Sequence, residues 1–315
     1  MVPDPHAVQP PDPAAFRRLR HPRPAPPRRR PGPRRRPARP DLDRAQPRRP
    51  QARRPARRQH HLRGVPAVSR GTLIVTGGGR GIGAAICRRA AQAGYAVAVN
   101  YAADIHAARA VVDEIAGAGG RALAIPGDIA DEGAVAALFA AAEVLGPLAG
   151  LVNNAGITGG FSAVADLDAG MAARVLAVNV LGTMIACREA VRRLAHSRGG
   201  PGGAIVNISS RAAETGGAHE WVHYAASKGA VNSFTIGLAR EVADDGIRVN
   251  AVAPGLIDSD LHAAAGDPGR PARMAPLIPM KRAGTGEEVA EAVLWLLSPA
   301  ASYVTGAILN VGGGR

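Results

Sequence analysis

The stretch Thr72–Ile86, "TLIVTGGGRGIGAAI", runs from a short apolar segment through a glycine-rich turn into an alanine-rich one. A run this short, apolar and partly β-branched reads as a strand covered on both faces. Glycines between a strand and a helix let backbone approach a phosphate at the helix N-terminus. The spacing of Gly77, Gly81 and Gly83 does not fit the G-x-G-x-x-G fingerprint. The turn therefore points to dinucleotide binding by its place after the first strand, and a plain tight turn is the alternative.

The same alternation continues outward to the end of the chain. Strands are expected at 72–76, 95–100, 121–126, 150–154, 204–209, 247–254 and 307–311. Helices are expected at about 80–93, 105–118, 131–145, 168–197, 222–244 and 286–298. Continuously apolar strands separated by helices predict an α/β fold: a single doubly wound (Rossmann) domain with a seven-stranded parallel sheet over residues 71–315. In such a sheet ligands sit beyond the carboxyl ends of the strands, so site residues should follow strands.

Residues 1–70 read differently. They hold 20 Arg, no Lys, 4 Asp and no Glu, hence +16 of a net +14, and 17 of the 26 prolines. The remaining 245 residues carry −2, so the basic character belongs to the tail. Dense proline without apolar periodicity predicts a disordered Pro/Arg-rich tail. It lacks the apolar core of a signal peptide, and its prolines exclude an amphipathic transit helix. One reading makes it a basic arm that adheres to nucleic acid non-specifically. The preferred reading is a non-native extension, with the natural start near Val65 or Val68. Cys87 and Cys187 fall singly in helices without metal-ligand spacing, so a reduced, cytoplasmic protein with no metal is expected. No sufficiently long apolar run suggests a membrane span.

Where an acidic residue would accept the ribose hydroxyls of NAD, at the end of the second strand, stand Asn100 and Tyr101. With no carboxylate to repel a 2′-phosphate and Arg80 in the glycine turn to attract one, NADP is expected, with NAD possible. Tyr224 and Lys228 draw notice because the chain has four tyrosines and two lysines. Four residues apart on a helix, they share one face. Arg270, Arg273, Lys281 and Arg282, in the Gly- and Pro-rich segment 258–283, are read as solvated rather than as an anion site, and the segment itself as a lid.

"TGGGRGIG", "NNAG" (153–156), Asn179 in "VLAVNVLG", "IVNISS" (205–210), "YAASK" (224–228) and "VAPG" (252–255) occur in the order and spacing of the short-chain dehydrogenase/reductase superfamily, which residues 71–315 resemble. The C-terminal "PMKRAGTGEEVAEAVLWLLSPAASYVTGAILNVGG" is similar to glucose 1-dehydrogenase-like and 3-oxoacyl-carrier-protein reductase-like members. The resemblance implies an NAD(P)-dependent oxidoreductase acting on CH–OH and C=O groups of a small molecule. Tyr224 would be the general acid/base, Lys228 its electrostatic partner and ribose ligand, and Asn179 the holder of a relay water. Ser210 would steady the substrate oxygen. Ser209 competes for that role, and the separation from Ser210 to Tyr224 is 14 where 13 is commoner.

By the same resemblance Gly77, Gly79, Arg80, Gly81, Ile82 and Gly83 would meet the cofactor phosphates, Asn100 and Tyr101 its ribose edge, and Asp128 and Ile129 the adenine. Asn154, Ala155 and Gly156 would face the adenosine ribose. Pro254, Gly255 and Ile257 would line the nicotinamide, and Ser259, where relatives carry threonine, would meet the pyrophosphate or the carboxamide. A homo-oligomer, most simply a tetramer through helices 168–197 and 222–244 and the C-terminal strand, is expected, since both helices carry several apolar stripes. A non-catalytic cofactor-binding scaffold and a nucleic-acid-associated protein are the rival readings.

Overall fold

The computed structural model describes residues 70–315; the Pro/Arg-rich segment expected to be disordered lies, but for Arg70, outside the described residues. Seven strands form one parallel sheet in the order β3-β2-β1-β4-β5-β6-β7. They are β1 (Thr72–Val75), β2 (Ala96–Tyr101), β3 (Arg121–Pro126), β4 (Leu148–Asn153), β5 (Gly203–Ile208), β6 (Ile247–Pro254) and β7 (Ile308–Val311).

Alternate side chains of the central strands enter two separate cores. Leu73, Val75, Val97 and Val99 meet Ile86 of α1 (Gly81–Gln92) and Ile115 of α2 (Ile105–Gly117). On the opposite face Ile74, Ala98 and Ile205 meet Leu138 and Phe139 of α3 (Glu132–Ala142). Coverage of both faces explains why these strands read as unbroken apolar runs. Each fully buried Val, Ile or Leu contributes about 1.5–3 kcal/mol to that packing.

Helix starts follow short polar side chains. Asp104 accepts from Ala107 N (3.0 Å), Asp131 from Ala134 N (2.6 Å) and Asp168 from Met171 N (2.5 Å). Thr285 and Glu288 form a reciprocal capping box at α10 (Gly286–Leu297). Each such cap contributes roughly 1 kcal/mol.

The helix expected at 168–197 runs from Ala169 to Leu194 and is not uniform. α4 (Ala169–Leu176) passes through a π turn, Ala177–Gly182, into α5 (Thr183–Leu194). Contrary to the sequence reading, this run is long and apolar enough to cross a membrane by length and composition. Its place explains the composition: Val178, Ile185, Ala186, Cys187 and Leu194 pack into the core on the sheet. Two further short helices, α8 (Asp260–Ala264) and α9 (Arg270–Met274), occupy the Gly- and Pro-rich segment. They follow α6 (Ala212–Thr215) and α7 (Val222–Glu241).

The sheet order places the crevice. After β1 the chain moves outward to β2 and β3, then returns to lay β4 on the other side of β1, so the loops after β1 and β4 diverge at a topological switch point. The two strands end level, with Val75 opposite Val152.

Candidate active site

Thr76 binds the two sides of the crevice together. Its hydroxyl accepts from Asn154 N and Ala155 N, both at 3.0 Å, while the Asn154 amide donates to Thr76 O (3.0 Å) and Gly77 O (2.9 Å). The sequence reading gave Thr76 no role. Its signal was only that a small hydroxyl closed an otherwise apolar strand.

The glycine turn fits a dinucleotide phosphate. Gly77 has φ +61°, which favours glycine, and a Cβ on Gly83 would lie 2.2 Å from Gly77 O. α1 begins at Gly81 without a side-chain cap and without an acidic residue in its first turn. Its first amides therefore face outward toward any bound anion. A Cβ on Gly81 would meet only Ser259, at 3.7 Å, so backbone lies open between the turn and the β6 loop.

At the outer edge the expected residues divide. The Asn100 side chain is buried and turned inward: it accepts from Gly77 N (3.3 Å) and donates to Gly127 O (3.0 Å) and Ile125 O (3.4 Å). It braces the turn against β3, a use not visible from its place at the strand end. Tyr101 follows it, half-buried. Arg80 is exposed, and its nearest carboxylate is Asp104, at 3.9 Å. The sequence reading missed that carboxylate because it sits three residues beyond the strand as a helix cap. Asp128 accepts from Ala130 N (3.0 Å) and pairs with Arg174 (2.5 Å). Partial burial would raise its pKa, but these bonds hold it below the usual carboxylate value. Ile129 is buried and packs against Gly182 of the π turn.

The loop after β4 and the two central helices meet at Gly156. A Cβ there would lie 3.2 Å from Asn179 Oδ1 and 3.4 Å from Lys228 Nζ. Asn179 lies in the π turn, a local geometry frequent at functional sites. Its Oδ1 accepts from Ile157 N, and its Nδ2 donates to Ile157 O and Ser227 Oγ, all at 2.9 Å. Ser227 in turn donates to Tyr224 O (2.6 Å). The amide thus joins the β4 loop to the helix bearing Tyr224 and Lys228.

Both α7 side chains are buried, Tyr224 at 8 % exposure and Lys228 at 4 %. Lys228 Nζ donates to Ile208 O at 2.7 Å and stands 5.7 Å from the Tyr224 ring centroid. Burial pulls the ammonium down to about 8. Burial also raises the Tyr224 phenol, and a hydrogen bond with Ser210 works the other way. Lys228 was expected as the electrostatic partner of this hydroxyl; the influence that prevails on the phenol in this structure is desolvation. The Ser210 bond also separates the two serines: Ser209 is turned inward, donating to Lys228 O at 3.3 Å.

Four residues beyond the expected set border this centre. Trp221, at the N-terminal boundary of α7, stacks on Phe161 with centroids 4.8 Å apart and leans on Tyr224 at 5.8 Å. Arg270 reaches both Trp221 and Glu220 and is buried, so reading it as solvated was wrong. A cavity of about 310 Å³ lies between Ser210, Gly255, Trp221 and Arg270. Pro254 O accepts from Arg211 N, Gly255 N donates to Val311 O, and Ile257 bridges to Gly284. The cysteines lie elsewhere: both are buried, and burial pushes Cys187 up to about 12, so neither thiol is an available nucleophile. Among the described residues no cluster of three or more His, Cys, Asp or Glu could hold a metal.

A glycine turn open to phosphate at the switch point, and a buried Tyr and Lys with a half-buried Ser beside an adjoining cavity, suit nicotinamide-dependent oxidoreduction. The sequence profile of a family described as enoyl-(acyl carrier protein) reductase matches residues 77–315. The chain belongs to the short-chain dehydrogenase/reductase family and is an NAD(P)-dependent oxidoreductase acting on CH–OH groups. It is 52% identical over 243 residues to the uncharacterized oxidoreductase YgfF of Escherichia coli, covering 77% of this chain and 98% of that one. It is 38% identical over 250 residues to glucose 1-dehydrogenase 2 of Bacillus subtilis, covering 77% and 93%. A short-chain dehydrogenase from Burkholderia cenocepacia, solved in complex with NADP, superposes with a TM-score of 0.70 at 36% identity, covering 79% of this chain and 98% of that one.

Proposed function

We infer that residues 71–315 form a single catalytic domain that interconverts a neutral carbonyl compound and its alcohol, with Tyr224 as the acid/base. The observation that carries this is the buried Tyr224, with a hydrogen bond to Ser210, which lines a cavity, and Lys228 one helical turn behind. The nicotinamide, when bound, supplies or accepts the hydride at the substrate carbon. Tyr224 gives a proton to the carbonyl oxygen in reduction and takes it back in oxidation. Ser210 donates a hydrogen bond to the same oxygen and fixes which way it faces.

Lys228 keeps its charge near neutral pH, and one of its three donors is held by Ile208 O. The others serve a ribose hydroxyl and proton exchange past Asn179. The cradle that would hold the cofactor is built from Gly77, Gly79, Gly81, Ile82 and Gly83, with Asn154, Ala155 and Gly156 opposite. Asp128, Ile129, Pro254, Gly255, Ile257 and Ser259 would complete its walls, with Tyr101 at the outer edge and Asn100 bracing the turn from within. Exposed Arg80 favours NADP over NAD.

A neutral substrate follows from the cations near the cavity. Arg211 pairs with Glu214, Arg270 with Glu220, Arg273 with Asp267 and Arg282 with Glu288, while Lys281 donates to Pro276 O. Each of these four arginines already has a carboxylate partner inside the chain. Glucose 1-dehydrogenase 2 is named for a neutral sugar, in keeping with this reading.

The test is a panel of neutral and acidic carbonyl compounds with NADPH, run on the wild type and Tyr224→Phe. The expected outcome is turnover of neutral members by the wild type, and its loss by about a thousandfold or more in the variant with NADPH affinity retained. Equal turnover by the two proteins would remove Tyr224 from the chemistry.

A further inference from the structure

Three segments far apart in sequence meet around one buried arginine. Arg270, in α9, is 6 % exposed. Its two terminal nitrogens donate to the two Glu220 oxygens, each at 2.6 Å. The guanidinium also lies 4.8 Å from the Trp221 ring centroid and 5.5 Å from that of Phe161. Ser162 N donates to Glu220 O at 2.7 Å, and Ser162 bridges to Trp221, which ties the loop after β4 to the same point.

An arginine in so dry a place is costly unless its charge is matched and its plane is packed. Here both conditions hold, yet a pair of apolar side chains would serve stability as well. What the fork adds is geometry, since a bidentate pair over two rings fixes position and angle together. The position it fixes borders the chemistry. Trp221 precedes α7 and leans on Tyr224, and those two residues share a small apolar cluster with Ala265, from the turn between α8 and α9. Glu220, Trp221 and Arg270 line the same cavity as Ser210.

We propose that Arg270 is a positioning residue for substrate: through Glu220 and the Trp221–Phe161 stack it holds the α8–α9 segment closed over the cavity and sets the wall against which the substrate lies beside Tyr224. This rests on the reading of the cavity as the substrate site. It goes beyond that reading by naming the device that shapes the site and a residue that does not touch the reacting atoms.

The chain offers its own reporter. It has two tryptophans, and Trp295 lies half-exposed on α10, away from the cavity. In a Trp295→Phe background, emission therefore reports Trp221 alone. Arg270→Ala is expected to shift that emission to the red and raise acrylamide quenching about threefold or more, as the ring loses its cover. With the neutral substrate found above, KM should rise about tenfold to a hundredfold while kcat changes less than about threefold, because wall contacts act on binding more than on the proton step. The NADPH dissociation constant should stay within about twofold. Arg270→Lys, which keeps charge but loses the fork, should recover less than half of the KM change on a logarithmic scale.

A folded Arg270→Ala protein with unchanged quenching, or with unchanged KM and only a lower melting temperature, would overturn the proposal. If that variant does not fold, Glu220→Gln serves the same measurements with the same expected directions. The fluorescence arm needs no turnover. A wild type inactive on every carbonyl, with the red shift still present in the variant, would refute the proposed reaction and leave the latch standing.

Discussion

Lys228→Met tests whether the buried ammonium is a cost that the fold carries for its site. Lowering its pKa from 10.5 to about 8 means that the charged form is disfavoured in the folded protein by about 3 kcal/mol. Methionine has nearly the same reach and no charge, so that penalty disappears, while Ile208 O loses its 2.7 Å donor at a cost of about 1 kcal/mol. At pH 7 the variant should therefore be the more stable by about 2 kcal/mol. Because the wild-type pKa is depressed on folding, the unfolded chain binds more protons between the two values, and wild-type stability rises with pH across that window. From pH 7 to pH 10 the gain is about 2.5 kcal/mol, which brings the two proteins to near parity. Urea unfolding at several pH values in this range measures both curves. A variant less stable than wild type at pH 7, or a gap that does not narrow by pH 10, would refute the reasoning.

Two further outcomes are expected. Asp104→Asn keeps the helix cap but removes the carboxylate 3.9 Å from Arg80, so the ratio of NADH to NADPH dissociation constants should rise about threefold, while Arg80→Ala should lower it by a similar factor; titration of cofactor fluorescence reads both. Leu176, Leu181, Met184 and Ile236 leave an apolar surface on α4, the π turn, α5 and α7, where we propose a tetramer forms. Leu181→Asp should then reduce the mass found by light scattering at micromolar concentration, and a wild type already monomeric there would count against the assembly.

The parts of this molecule that were legible in its sequence are those decided locally. Unbroken apolar runs gave all seven strands within two residues, because burial on both faces leaves no polar alternation to confuse with loop. Tyr224 and Lys228 were visible because a four-residue gap on a helix is itself geometry, and the cap residues Asp131 and Asp168 stood at the expected helix starts. What escaped were matters of partnership. Arg270 reads like any arginine in a polar loop, since its carboxylate lies 50 residues away. Asn100 stood where a ribose contact belongs, but its inward bonds depend on β3, which pairs with β2 only in the folded sheet. The direction of the Tyr224 shift needed burial, which no spacing reports.

The π turn at Ala177–Gly182 has a consequence for how this chain tolerates change. A π turn holds one residue more than the α-helix around it, so deleting a single residue there, such as Val180, would let the ladder close as plain α-helix. The wide turn absorbs its extra residue by turning less per residue than the α-helix does, so α4 and α5 would keep nearly their present phase, and Ile185, Ala186 and Cys187 would stay on the sheet. What would be lost is the turn itself, and with it the placing of the Asn179 amide that joins Ile157 to Ser227. A one-residue loss would thus spare the packing of the run and be felt at the site it borders.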